Sequence, residues 1–277
     1  MKTAIDLSVH EDVTCVRVNL ATDRRSASVY VFLTDGMLVD TGCASAERDL
    51  AAFFKEHARA IDQVVLTHSH EDHVGTAAWI ERHLNVPLSI HPAGVAFCAS
   101  WPEYPKYRQA VWGIRKPFTA QPLGEQAASR SRLWKVIYTP GHAEDHVVLL
   151  DEERGRLFSG DLFLSPKTRV IMRQESVPTI IDSLRKVLQH DFQSMYCCHA
   201  GYLPDGKRML AMKLEELENL SGEILHLYGR GLTIEEINAK LFPESLAIIE
   251  VSGGEFDSIH IVRTVVREMA EQAGQGV

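Results

Sequence analysis

The chain has 277 residues, 45% hydrophobic and 24% charged, which suffices for a well-buried core in one large domain or one domain with a small appendage. Its formal net charge of −8 offers phosphate-rich partners no general attraction, so neither nucleic acid nor a membrane surface is an expected partner. The first residues lack an apolar run, no stretch reaches the roughly 20 apolar residues that span a bilayer, and the five cysteines have no regular spacing that would suggest a disulfide framework. The expected location is cytoplasmic.

In chain order, residues 15–20, 28–33 and 37–40 read as strands. The last two are joined at Thr34-Asp35-Gly36, where Asp-Gly signals a hairpin turn. Ser45 is placed to cap a helix bearing Leu50, Phe53 and Phe54 on one face. Residues 64–67 form a short buried strand, the segment with Trp79, Ile80 and Leu84 is helical, and 88–90 is a further strand. A second set follows, with strands at 133–139, 147–150, 156–159 and 195–198. Between the last two, Pro178 stands at a helix start, with Ile181, Leu184 and Leu188 at helical spacing.

Two similar halves of strands and helices predict an α/β fold, a four-layer αββα sandwich with loops at one sheet edge free to carry chemistry. From about Leu210 the pattern is helical. Leu214, Leu217, Ile224 and Leu227 share one helix, with a break or kink expected at Gly222. Thr233-Ile234-Glu235-Glu236 is a capping box, and Asp257 or Ser258 is placed to cap a last helix with Ile259, Val262, Val266 and Met269. This divides the chain into a main domain, 1–206, and a small C-terminal helical appendage, 207–277.

The chemistry is concentrated in Thr67-His68-Ser69-His70-Glu71-Asp72-His73-Val74-Gly75, directly after the apolar run Val64-Val65-Leu66. Imidazole suits zinc, iron and other borderline metals, and carboxylate balances charge. Alternation along an extended segment puts His68 and His70 on one side, within reach of a single ion. Asp72 and His73 turn into the next helix and face a second.

This motif resembles the His-x-His-x-Asp-His hallmark of the metallo-β-lactamase superfamily, and the resemblance covers about the first two-thirds of the chain. Thr139-Pro140-Gly141-His142, Ser159-Gly160-Asp161 and Cys197-Cys198-His199-Ala200-Gly201 are similar to the family's later elements, in the same order. The resemblance implies His142 with His68 and His70 on one ion, His199 with Asp72 and His73 on the other, and Asp161 bridging both. It implies two divalent metal ions, zinc first and iron or manganese as alternatives. A hydroxide between them would attack an ester, lactone, thioester or phosphodiester of a small molecule with an anionic or ester group. Asp72 would accept or deliver a proton, and a homodimer is expected from the fold class alone. The competing expectations are a mononuclear iron persulfide dioxygenase and a nucleic-acid-processing hydrolase with a winged-helix-like tail.

Departures from particular subfamilies narrow the field. Asp161 stands where exported β-lactamases usually carry Cys, His70 stands where flavodiiron proteins usually carry Glu, and Leu162-Phe163-Leu164 lacks the Tyr of acyl-homoserine lactonases. The insert between His91 and Pro122, with Trp101, Tyr104, Tyr107, Trp112 and Phe118 among prolines, offers either a substrate wall or a pinned loop. Lys106, Arg108, Arg115 and Lys116 read as a solvated charge run. Lys167 and Arg169, close to Asp161 in sequence, offer either an anion contact at the border of the cleft or a plain surface loop. Asp145 and His146 are expected to orient ligands, and Cys197 and Cys198 to be buried small hydrophobes.

Overall fold

The computed structural model describes residues 2–21 and 26–274, with side chains to residue 270. β1 (Lys2–His10), β2 (Val13–Ala21), β3 (Ser26–Thr34) and β4 (Met37–Val39) pair antiparallel in sequence order. Asp35 and Gly36 both take positive φ, 48° and 83°, the backbone that an Asp-Gly hairpin turn requires. α1 (Glu47–Glu56) returns the chain to β5 (Gln63–Val65), and α2 (Ala77–Leu84) leads to β6 (Leu88–Ile90). α3 (Pro92–Cys98) and α4 (Lys106–Trp112) precede β7 (Gln121–Pro122), and β4 to β7 are parallel.

The second sheet begins with β8 (Gln126–Ala128), β9 (Leu133–Tyr138), β10 (Val147–Asp151) and β11 (Arg156–Gly160), all antiparallel. The chain leaves it through β12 (Ile171–Met172) and α5 (Val177–Leu188), then returns as β13 (Ser194–Cys197), parallel to β11, and β14 (Gly201–Leu203). α6 (Gly206–Gly229), α7 (Ile234–Leu241), α8 (Ala247–Val251), β15 (Phe256–Asp257) and α9 (Ile259–Gly274) follow. β15 pairs with β12, so the C-terminal part is joined to the segment after β11.

Layering follows from which faces are apolar. Phe32, Trp134, Phe158 and Tyr196 interlock between the two sheets, and Leu50, Phe54 and Ile80 from α1 and α2 belong to the same cluster. Val148, Leu150 and Leu157 turn to the other side, against Leu184, Val187, Leu210, Leu217, Ile261 and Val262 of α5, α6 and α9. This is the four-layer αββα sandwich. β10 and β11 are buried at every position, as strands covered on both faces must be, and each fully buried Leu or Phe contributes about 1.5–3 kcal/mol.

Several local expectations are corrected. β1 is an additional strand: it lies at the sheet edge with most residues exposed, so it carries no apolar run to betray it. α6 runs unbroken through Gly222, where the backbone faces open space and stays helical, at a cost of about 1 kcal/mol relative to Ala. Ser45 lies within a 3-10 turn, and its hydroxyl donates to Val111 O at 2.8 Å rather than capping α1. The proline-rich insert holds two short helices between irregular stretches at 99–105 and 113–120, because Pro92 occupies the first turn of α3 and Pro105 the N-cap of α4, positions that lose no helical hydrogen bond. Thr233 does form the capping box, and Asp257 accepts the Ile259 N–H at 3.1 Å. Among the described residues no helix is long and apolar enough to cross a membrane.

Candidate metal centre

β9, β11 and β13 run in one direction, since β10 is antiparallel to β9 and β11 while β13 is parallel to β11. Their C-terminal ends therefore share an edge, and the end of β5 reaches it from the other sheet. Two backbone bonds lock the sheets together there, Val147 N–H to Thr67 O at 2.9 Å and Tyr30 N–H to Cys198 O at 2.7 Å. The four strand ends deliver His68 and His70, His142, Asp161 and His199, while Asp72 and His73 sit in the turn before α2.

All seven side chains expected as ligands converge. His70 Nδ1 lies 3.0 Å from both His68 Nε2 and His142 Nε2. That spacing suits three corners of a coordination sphere with metal–nitrogen distances of about 2.0–2.1 Å. His199 Nε2 and His73 Nε2 lie 3.4 Å and 3.8 Å from Asp72 Oδ2. Asp161 stands between the two groups, its Oδ2 being 3.3 Å from His142 Nε2 and 3.2 Å from His199 Nε2, its Oδ1 3.4 Å from His73 Nε2. His73 Nε2 and Asp161 Oδ1 are buried without a hydrogen-bond partner. Buried polar atoms are rarely left so, and a cation between them would satisfy both.

Four of the five histidines are oriented by a contact to the remote nitrogen. His73 Nδ1 donates to Asp40 at 2.8 Å, His142 Nδ1 to Glu175 by a short contact, and His199 Nδ1 to Ser28 O at 3.2 Å. Thr67 Oγ1 lies 3.2 Å from His68 Nδ1. These bonds fix the tautomers so that lone pairs face the cluster. Asp40, Glu175 and Thr67 were not among the expected site residues. Asp40, at a positive φ of 59°, also accepts from Thr67 N–H and Oγ1, both at 2.8 Å, and from the Cys198 thiol at 3.2 Å. Asp40, His73 and Cys198 lie close enough to grip an ion themselves, but four donors on one carboxylate make this group a hydrogen-bonded support.

His146 fills the orienting role expected of it, its Nε2 accepting the Asp161 N–H at 2.9 Å. Gly160 lets it approach: φ is +48°, and a Cβ there would stand 2.5 Å from that Nε2. Gly75 is required on the other side, where a Cβ would come 2.3 Å from Ala44 N. Cys197 and Cys198 are buried as expected.

Protonation divides the cluster. Burial, with the charges of neighbouring histidines, lowers His68 and His70 well below the usual imidazole range, and lowers His146 to about 3. Burial also opposes charge on His73 and His199, but Asp161 and Asp72 outweigh it and raise both. Those same histidines hold the Asp72 and Asp161 carboxyls well below their ordinary range despite burial. The carboxylates are thus ionised and the His68 and His70 lone pairs free at neutral pH.

A cavity of about 760 Å³ opens beside His70, Asp72, His142, Asp161 and His199. Tyr107, Val111 and Trp112 of α4 form one wall, and Leu217, Ile248, Val251 and Phe256 another. Of the insert's aromatics, Tyr107 and Trp112 line the cavity and Phe118 pins the loop to the core, while Trp101 is exposed and does neither. Lys167 and Arg169 border the cavity as their position suggested. The charge run is corrected: Arg115 is buried, bonded to Phe97, Cys98 and Ser100 carbonyls. Arg108 joins Glu71 at 2.5 and 2.6 Å and Glu255 at 3.0 Å.

Comparison with known proteins agrees with this architecture. The metallo-beta-lactamase superfamily model matches residues 22–195. An atrochrysone carboxyl ACP thioesterase of Passalora fulva is 25% identical over 76% of this chain and 60% of its own length. A probable metallo-hydrolase of Bacillus subtilis, YybB, is 34% identical over 49% of this chain and 62% of its own length; the chain thus spans about six-tenths of these two relatives. A second from Bacillus subtilis, YqjP, is 24% identical over 84% and 86%. A metallo-beta-lactamase family protein from Thermus thermophilus superposes with a TM-score of 0.68 at 19% identity, covering 96% of this chain and 95% of that one. With the family model matching well over half of the chain, the protein belongs to the metallo-β-lactamase superfamily.

Proposed function

We propose that the chain is a metal-dependent hydrolase holding two divalent cations, one on His68, His70 and His142, the other on Asp72, His73 and His199, with Asp161 shared. The observation that carries this reading is the pair of orphaned buried atoms, His73 Nε2 and Asp161 Oδ1, 3.4 Å apart among converging donors. Zinc is the first choice of metal, with iron or manganese compatible with the same donors. Bound there, the cations would supply ionised water at neutral pH and polarise a carbonyl or phosphoryl oxygen. The second donor group, Asp72, His73 and His199, favours this over a mononuclear iron dioxygenase.

The protein's own contribution is orientation and proton transfer. Asp40, Glu175 and Ser28 O hold three imidazoles in place. Asp72 lines the cavity, where its carboxylate can take a proton from the attacking water and return it to the leaving group. The apolar walls suit an acyl group, and the Passalora fulva relative is by name a thioesterase. Among ester, lactone, thioester and phosphodiester, an ester or thioester of a small molecule is therefore the best-supported substrate. Five free, buried cysteines fit a reducing compartment such as the cytoplasm.

Metal analysis with a panel of all four substrate classes tests the proposal. Two metals per chain and chelator-sensitive hydrolysis are expected. No more than one metal after zinc or manganese loading, or no cleavage of any class, overturns it.

A further inference from the structure

Lys213 lies on α6 among positions that feed the second apolar core, yet it carries a charge. It is 6% exposed and lines the cavity. Its ammonium has three donors. Two are used within the segment that follows Asp161, on Ser165 O at 3.4 Å and Thr168 Oγ1 at 3.1 Å. No carboxylate of the described residues stands within ion-pairing distance, 4.0 Å, of its Nζ. Glu216 and Glu175 act on it from farther off, and both are engaged elsewhere. Glu216 accepts the Thr168 N–H at 3.3 Å, while Glu175 holds His142 and the Met172 N–H.

An ammonium withdrawn from water without a counter-ion is costly. Burial accordingly pushes the Lys213 ammonium below its usual range. A Met or Leu here would pack among Leu210 and Leu217 at no such cost. Lys167 and Arg169 also line the cavity, but both are exposed, where water solvates their charge. Lys213 alone among these three is both buried and turned to the cavity, with one donor left over.

We propose that Lys213 is a specificity-determining anion site, and that the substrate is an ester or thioester whose apolar body carries a second group, a carboxylate, seated on this ammonium. The inference rests on the hydrolase reading for the ester, though not for the anion site itself. The chemistry is a charge-assisted hydrogen bond in an apolar enclosure, where it counts for more than in water.

The test compares 4-nitrophenyl monoesters of succinate, adipate and suberate with neutral 4-nitrophenyl esters of equal chain length, on metal-loaded protein. For the best-fitting length, the wild type should prefer the carboxylate ester in kcat/KM. Lys213→Met and Lys213→Gln should each lower that preference at least about tenfold, and Lys213→Arg should keep most of it. Gln retains donors for Ser165 and Thr168, so it separates charge from loop anchoring. A wild type without the preference, or Gln and Met variants that keep it, would overturn the proposal. If none of these esters is cleaved, turnover on the four-class panel tests the hydrolase reading separately from the anion site. Calorimetry of octanoate against octan-1-ol then decides the anion site: a tenfold weaker octanoate affinity in Lys213→Gln supports it, and equal affinity overturns it.

Discussion

The metal cluster and the cavity beside it share side chains but are built in opposite ways. Most of the cluster is delivered by strand ends of two sheets bonded to each other, with Asp72 and His73 in the turn before α2. The cavity wall comes from α4, the segment after β11, and the C-terminal α6, α8 and β15, held to one another by side-chain bonds and by the short pairing of β12 with β15. On the proposed function, the bond-breaking chemistry belongs to the scaffold and the choice of substrate to elements packed over it.

The sharpest way to break this division is to strike Asp161, the carboxylate proposed to be shared. Asp161→Ala should lower kcat by roughly 10³-fold or more, about 4 kcal/mol at the barrier, and reduce bound metal, while circular dichroism stays native. His68→Ala should act similarly. Wild-type turnover in either variant would show that the cluster is not catalytic.

Next comes the tie between the two regions. Arg108 from α4 bonds Glu71, in the motif loop between two ligands, and Glu255 beside β15. Arg108→Met leaves Glu71, 1% exposed at the side chain, as a buried charge without its partner. A stability loss of about 3 kcal/mol in urea unfolding is expected, and adding Glu71→Gln should restore part of it. Purely additive effects would mean that the wall is not fastened through this pair.

A smaller effect separates orientation from ligation. Glu175→Gln keeps a hydrogen-bonding group on His142 but removes its charge, so chelator competition should show metal affinity weakened about 10- to 100-fold, with both metals still bound at saturation. An unchanged affinity would make Glu175 merely structural.

The same contrast explains what the sequence could tell. His68, His70, Asp72 and His73 follow one apolar run, and His142, Asp161 and His199 each come just after a short strand, so strand ends and metal-binding residue types coincide. Asp40 carried a weak signal, standing at a strand end in Val39-Asp40-Thr41-Gly42, and its role appears only when β4 and β5 lie side by side. Glu175 and Lys213 had none. A glutamate after a turn and a lysine in an amphipathic helix look like surface residues until tertiary packing buries them. β1 escaped notice for the converse reason, being an ordered strand with little buried apolar surface.

The edge opposite the metal cluster supplies the control. Arg156 begins β11, at the far end from Gly160, and its buried guanidinium joins Asp12, Glu11 and Asp151. Burial works against ionisation of Asp12, but Arg156 and then Arg132 outweigh it and hold the carboxyl below its ordinary 3.8. An acid whose folded pKa is depressed adds stability above the unfolded value and loses it as pH falls through the folded one. Asp12→Asn should therefore lower stability at pH 7 and flatten the decline below about pH 4. The Asp12 side chain is 44% exposed, so screening should hold the effect under about 1 kcal/mol. Thermal unfolding across pH measures this, and metal content and turnover at neutral pH should not move. A change in either would mean that the two edges are coupled through the sheets, and that the scaffold is less rigid than its backbone pairing implies.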